Sequence, residues 1–292
     1  MQNKKTTTIL IIFIIIFTLI ATLSGILTNN GRGEYEFQSI HGKTITIYGK
    51  GLYQNMSADV AIQGIAQDYV TLILAIPFLI FALYHSRKGI LKSKFILAGV
   101  LNYIFLTYLF YMNMAMYNGL FLIYIAITGL SFFALVLTLI SININELQIS
   151  IAKKFTVRFI GGFLIFNAIS VGIMWLGVIV PPLLDHTIVP IAVEHYTTLT
   201  VQAFDLSLFL PISFVAGYLL IKKNKYGILI APVYLVFLSF LMLALIAKIM
   251  AMAIAGVNVF PAIIIIPCIA LTAIISSFIM IKNIIQIKTN GK

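Results

Sequence analysis

Eight long apolar runs constrain the fold of this chain more than any other feature. Each has at least 18 residues, and they cover roughly 8–27, 68–85, 95–117, 119–142, 159–181, 203–221, 227–254 and 258–281. A helix of about 20 such residues crosses the hydrocarbon core of a bilayer. Only 9% of all residues are charged, against about 25% in a soluble domain. The sequence therefore predicts an all-α integral membrane protein with eight transmembrane helices.

The basic residues predict how these helices are oriented. Of the 19 Lys and Arg residues, 15 lie in five clusters, and two apolar runs separate each cluster from the next. The clusters are 4–5, 86–94, 152–158, 222–225 and 282–292. Lys and Arg accumulate in the cytoplasmic loops of membrane proteins, so we expect both termini inside the cell and the protein in the cell membrane. The first run exceeds the ~7–15 residues of a secretory signal core, and we expect it to be a retained span. The net charge of +11 then reflects topology, which excludes a nucleic-acid partner.

The order of landmarks suggests an internal repeat. Asp68 and Asp205 are 137 positions apart, and the same offset places Lys88 on Lys225 and Gly119 on Gly256. We therefore expect two four-helix repeats, 1–142 and 143–292, in the same orientation. Parallel repeats of this kind occur in transporters.

The segment 34–48, EYEFQSIHGKTITIY, interrupts the apolar pattern on the predicted external side. Apolar and aromatic residues alternate with polar ones around a His-Gly-Lys turn, which is typical of a β-hairpin. We predict paired strands at 34–40 and 44–48, followed by a short helix that ends at Asp68. The hairpin is either a cap on hydrophobic helix ends or a cover for a ligand.

Several stretches resemble an uncharacterised family of bacterial multi-pass membrane proteins. They are YEFQSIHGKTITIYGKGLY, AQDYVTL, TVQAFDLSLFLP and YGILIAPVYL. The resemblance extends from about residue 34 to 250. It implies a bacterial membrane protein and assigns no catalytic residue.

Charged and polar side chains in or beside the spans are the candidate substrate-binding residues. Asp68 and Asp205 are each predicted to begin a helix, where a carboxylate either caps the backbone N–H groups or contributes to a shared pocket. Lys248 lies within a span, where a charge is costly unless it is paired or reaches the interface. We expect it to pair with Asp205, or alternatively with Asp68. Tyr111 and Asn113 add polar groups to the third span, where helix–helix hydrogen bonds are the alternative role.

A metal or cofactor site has little support in the sequence. His186, Glu194 and His195 lie in one predicted external loop, but their spacing matches no metal motif, and ordinary loop polarity is the alternative. We expect no cofactor. The single cysteine, Cys268, excludes an intramolecular disulfide and a CxxC site.

Three functions remain open at this point. The first is binding or transport of a small solute, for example an anionic one, or of a lipid, at an outward-facing site between the repeats. The second is a non-catalytic envelope assembly or sensing role, with the hairpin contacting a partner. The third is a membrane enzyme acting on lipid or envelope substrates, although enzyme activity is the less expected class. The lipid bilayer is a predicted partner in each case, whereas the substrate and the oligomeric state are not predicted.

Overall fold

In the part of the chain that the structure describes, eight helices are long and apolar enough to cross a membrane, which confirms the predicted all-α membrane class. The computed structural model describes residues 2–150, 154–187, 189–190 and 193–286. In chain order the helices are α1 (Gln2–Leu27), α2 (Ala58–Arg87), α3 (Leu91–Met114), α4 (Phe121–Ile140), α5 (Lys154–Leu184), α6 (Thr200–Ile221), α7 (Lys225–Ile254) and α8 (Ala262–Asn283). The chain is therefore a multi-pass membrane protein.

The helices α3 and α7 form the centre of the bundle. They are the most buried of the spans and pack against each other. Gly99 permits this contact, because a Cβ at that position would overlap the side chain of Val236. The first four helices form a closed ring in which α1 packs against α2 and α4, and α3 packs against the same two helices. In the other half, α5 packs mainly on α6, α8 packs on α7, and α7 also contacts α2.

The predicted hairpin is present. Strands β1 (Tyr35–Gln38) and β2 (Thr44–Ile47) pair in antiparallel register from Tyr35↔Ile47 to Gln38↔Thr44. Gly42 has φ +75° and donates its N–H to Ser39 O (2.9 Å), which closes the turn. We call the end of the bundle that carries this sheet the hairpin end.

The opposite end carries the basic loops, and we call it the basic end. Side-chain hydrogen bonds join these loops to one another: Lys92 to Lys282 O (2.7 Å) and Lys94 to Ser141 O (2.8 Å). A second two-stranded sheet, which the sequence did not predict, pairs β3 (Leu147–Ile149) with β4 (Ile284–Gln286) at the same end. Parts of two basic clusters, 151–153 and 287–292, lie outside the described residues.

The start of α2 differs from the prediction. The short helix expected before Asp68 is continuous with the span, because no helix-breaking residue separates residues 58–67 from the apolar run. Asp68 therefore lies ten positions after Ala58, about 15 Å into the helix, and cannot be an N-cap. Asp205 also lies inside its helix, five positions after Thr200. The prediction that each carboxylate begins a helix was wrong.

Candidate functional site

A buried carboxylate, Asp68, is the centre of a polar cluster inside the first four helices. Its side chain is only 1% exposed. The Tyr53 hydroxyl donates to Asp68 Oδ2 at 2.5 Å. The Tyr111 hydroxyl lies 3.2 Å from Asp68 Oδ1 and 2.8 Å from Gly64 O, so that one proton is shared between two acceptors. A carboxylate can accept about four hydrogen bonds, so the two oxygens of Asp68 can accept more bonds than these two hydroxyls donate, although the side chain is buried from water.

The helix α1 approaches this carboxylate at a glycine. A Cβ at Gly25 would overlap Asp68 Oδ2 and would lie 2.9 Å from the Tyr53 hydroxyl. Because only hydrogen fits there, the glycine allows α1 to close the cluster on one side. Tyr53 itself comes from the segment between β2 and α2, so the hairpin connection closes it on another.

A second hydrogen-bond network lies one helical turn away, toward the middle of the bundle. Gln67 donates to the Tyr103 hydroxyl and to Thr107 Oγ1, both at 2.9 Å. Thr71 donates to Gln67 O at 2.9 Å and lies 3.0 Å from the Tyr103 hydroxyl. This network is satisfied internally, and it fixes the rotation of α2 against α3.

Other hydroxyls of the cluster lack hydrogen-bond partners. Tyr108 and Tyr124 are fully buried, and their rings pack against Tyr111 with centroids 5.5 and 5.7 Å away. Neither hydroxyl has a hydrogen-bond partner within the described part of the chain. Thr18 lies beside Tyr108, but the pair does not meet the geometry of a hydrogen bond. A buried polar group without a partner costs about 1–3 kcal/mol, so these hydroxyls call for an explanation beyond packing.

Lys248 brings a positive charge to the cluster from the other half of the chain. It lies on α7, six positions before Ile254, about 9 Å from the helix end. It is partly buried and interacts electrostatically with Asp68. No ion pair within 4.0 Å joins Lys248 to an acidic residue among those described. Of the two predicted partners of Lys248, Asp68 is the one with which it interacts, at a distance longer than an ion pair. No interaction of Lys248 with Asp205 is found in the described residues.

Asp205 forms a separate and simpler site. Its Oδ2 accepts a hydrogen bond from Trp175 Nε1 at 2.9 Å, and the carboxylate is half-buried between α5 and α6. Asn113 is also apart from the cluster, because it is exposed and donates to Leu109 O in its own helix (2.8 Å). Of the five predicted substrate-binding residues, three thus come together: Asp68, Tyr111 and Lys248.

The loop that contains the metal candidates makes hydrogen bonds with the hairpin and with the connection that follows it. His195 Nε2 lies 3.0 Å from Asn55 O, and the neighbouring Tyr196 O lies 2.9 Å from His41 Nε2. His186 and Glu194 each adopt positive φ. Among the described residues, no three His, Cys, Asp or Glu side chains are placed to hold a metal ion. The hairpin and the loop before α6 therefore form one cover over the hairpin end.

The helices α2 and α6 share an irregularity that bears on the repeat. Each contains one π-turn of five residues, Thr71–Ala75 and Asp205–Phe209, and each resumes as an α-helix with proline at its second residue. From Thr71 to Asp205 the offset is 134 positions, not 137, so that Thr71 and not Asp68 is the counterpart of Asp205 here. Single π-turns are frequent at functional sites.

Sequence analysis missed Tyr53, Gln67 and Gly25. Gln67 precedes Asp68 in the chain, so one helical turn of polar residues was a usable signal. Tyr53 and Gly25 gave none, because their roles depend on the path of the hairpin connection and on the contact between α1 and α2. The chain matches no protein-family model, no curated protein and no solved structure.

Proposed function

We propose that this protein binds and transports a small charged solute at the cluster between Asp68 and Lys248. The observation that carries the proposal is the buried carboxylate of Asp68, held by two tyrosine hydroxyls and facing an ammonium group from the other half of the chain. Charged residues inside membrane spans are rare and costly, and they mark substrate or ion pathways by default.

The chemistry of the two groups defines the solute class. Asp68 accepts from a cationic or hydroxyl group, and Lys248 attracts an anionic one. Because they do not form a close ion pair with each other, a small solute with a carboxylate or phosphate for Lys248 and a donor for Asp68 is complementary to both. The unpaired Tyr108 and Tyr124 hydroxyls are further groups that such a solute can use.

The site lies nearer the hairpin end, and the positive-inside rule puts that end outside the cell. Reporter fusions test the orientation: those after Lys94 and Lys225 are expected to read cytoplasmic, and those near Gly42 and Asp185 external. An external signal after Lys94 would reverse the orientation and make the site inward-facing.

We further propose that the chain consists of two four-helix halves with the site at their junction. The support is that Asp68 and Lys248 come from different halves and that α2 and α6 carry π-turns at equivalent places. The resemblance to a family of bacterial membrane proteins is part of the same proposal, and it adds no assignment of residues.

Thermal unfolding of the purified protein with a panel of small solutes tests binding. The panel holds anionic, cationic and zwitterionic compounds, and wild type is compared with Asp68→Asn and Lys248→Met. We expect at least one solute to raise the unfolding temperature of wild type and to lose this effect in both variants.

The matched controls for this panel are Asp205→Asn and Lys222→Met. They remove the same charges from positions outside the cluster, so that the solute effect should survive in them. A solute effect that all four variants keep, or that Asp205→Asn also loses, would contradict a site at Asp68.

A partner-binding role is the second candidate, and one observation favours it. Ile40, at the tip of the hairpin, is 78% exposed, which is unusual for a large apolar residue in a cover. Photo-crosslinking from position 40 in intact cells tests this role. A single crosslinked protein species supports it, and crosslinks to lipid alone count against it.

A further inference from the structure

A cleft at the basic end has the chemistry of an anion site and lies far from Asp68. It opens between α1, α2, α3 and α4, and three of its side chains are cationic: Lys4, Arg87 and Lys94. Hydroxyl groups of Thr8 and Ser141 lie on the same rim. The cavity is small, about 50 Å³, which is room for a few water-sized groups and so for one phosphate group.

The charges in this cleft are not balanced. No acidic residue lines it, and none of the three cations forms an ion pair within 4.0 Å in the part of the chain that the structure describes. Lys4 and Lys94 repel each other. Lys94 is half-buried and held by its hydrogen bond to Ser141 O (2.8 Å), so it cannot simply turn away. An anion between the two ammonium groups would replace this repulsion with two attractions.

The position of the cleft identifies the source of the anion. It lies at the ends of four membrane-spanning helices, which is the depth of lipid headgroups. Leu83, Leu97 and Leu137 also line it, so the cations lie beside apolar surface, as expected where headgroups meet the hydrocarbon region. Basic pockets between transmembrane helices bind anionic headgroups in this way.

We propose that this cleft binds an anionic phospholipid, with the headgroup phosphate between Lys4, Arg87 and Lys94. The proposal is independent of the solute site, since none of these residues belongs to the Asp68 cluster. The lipid would link the start of α1 to the loops after α2 and α4.

Native mass spectrometry of the full chain in detergent, titrated with phosphatidylglycerol, tests the proposal. The cleft variant is Lys4→Gln with Arg87→Gln; both side chains are exposed, so the substitutions do not endanger folding. The control is Lys222→Gln with Lys223→Gln, two exposed basic residues at the same end that remove the same charge. A basic residue next to a bound anionic headgroup contributes about fivefold to the affinity, and the two control residues lie outside the cleft. We therefore expect about thirtyfold weaker phosphatidylglycerol binding in the cleft variant and less than threefold in the control.

Three results would overturn the proposal. Equal losses in the two double variants would mean a general basic surface and not a site. Equal retention of phosphatidylcholine and phosphatidylglycerol by wild type would exclude headgroup recognition. Displacement of phosphatidylglycerol by millimolar inorganic phosphate in the same titration would assign the cleft to a free anion and exclude the lipid.

Discussion

Replacing Tyr53 with phenylalanine removes one hydroxyl and leaves the ring in place. The hydroxyl donates to Asp68 Oδ2 at 2.5 Å, within the range of hydrogen bonds to ionised carboxylates. The ring is 1% exposed and packs edge-on against Tyr111 with centroids 6.0 Å apart. Because phenylalanine keeps this packing, no cavity forms, and the change in stability reports the lost hydrogen bond together with the cost of leaving the buried Asp68 oxygen without this donor.

The size of the loss follows from the surroundings of the bond. A hydrogen bond to a charged group contributes roughly 1.5–3 kcal/mol in soluble proteins, whereas measured hydrogen bonds between membrane helices average about 0.6 and reach about 1.7 kcal/mol. Tyr53 lies outside the spans but its acceptor lies within one. We therefore expect Tyr53→Phe to lower the free energy of unfolding by about 1.5 kcal/mol.

Unfolding in mixed micelles, followed by circular dichroism, measures this loss. The matched control is Tyr117→Phe, since Tyr117 is 81% exposed and its hydroxyl should contribute nothing. A double-mutant cycle with Asp68→Asn then isolates the pair, and a coupling free energy of about 1 kcal/mol or more is expected. A Tyr53→Phe variant as stable as Tyr117→Phe, or a coupling near zero, would refute the assignment of Asp68 as the acceptor.

Three further predictions concern the same cluster and the separate site at Asp205. Gly25→Ala is expected to destabilise the protein by about 1–3 kcal/mol, because the new methyl group overlaps the buried carboxylate; Gly129→Ala, with open space around it, should be neutral or stabilising in the same unfolding assay. Burial, followed by the negative charge of the cluster, raises the pKa of Tyr53 well above its ordinary value. The stability that this proton contributes is complete below the unfolded pKa of about 10 and is lost as the pH rises above it, so wild type should lose more stability than Tyr53→Phe between pH 8 and 11. Asp205→Ala removes the acceptor of the Trp175 indole N–H and should change the fluorescence of Trp175, so an unchanged emission maximum would contradict that contact.

The number of spans and the hairpin were predictable because both depend on local patterns. Apolar runs of span length and strict strand alternation are visible in any short window of the sequence. The start of α2 was not predictable in this way, because residues 58–67 are only moderately apolar and the charged residue Asp68 directly precedes the apolar run. That error moved Asp68 from a helix mouth to the interior, which changes its role from a cap to a buried carboxylate.

The cluster around Asp68 depends on contacts that no local pattern contains. Tyr53 lies in a glycine-rich connection, and its distance from Asp68 is set by how the hairpin folds back over α2. Lys248 was recognisable as an unusual charge within a span, but the choice between its two carboxylate partners depends on the packing of α7 against α2. Tyr111 was a candidate because it adds a polar group to an apolar span, and the same criterion also selected Asn113, which lies on the opposite side of the helix, is exposed and does not join the cluster.

The hydrogen bond from Tyr53 to Asp68 has two consequences that act in opposite directions. It stabilises the closed cluster, and it occupies the carboxylate oxygen that a solute on the hairpin side would approach first. If the proposed solute site is correct, we expect a solute to displace the Tyr53 hydroxyl or to enter beside it, so that part of its binding free energy offsets the lost bond. The connection that carries Tyr53 also joins the hairpin to α2, and His195 holds this connection through Asn55 O. Displacement of one hydroxyl is thereby linked to the cover formed by the hairpin and the loop before α6. Because a bound solute shifts an equilibrium only through its differential affinity for the two states, we expect the cost of breaking this bond to count against solute binding at the proposed site.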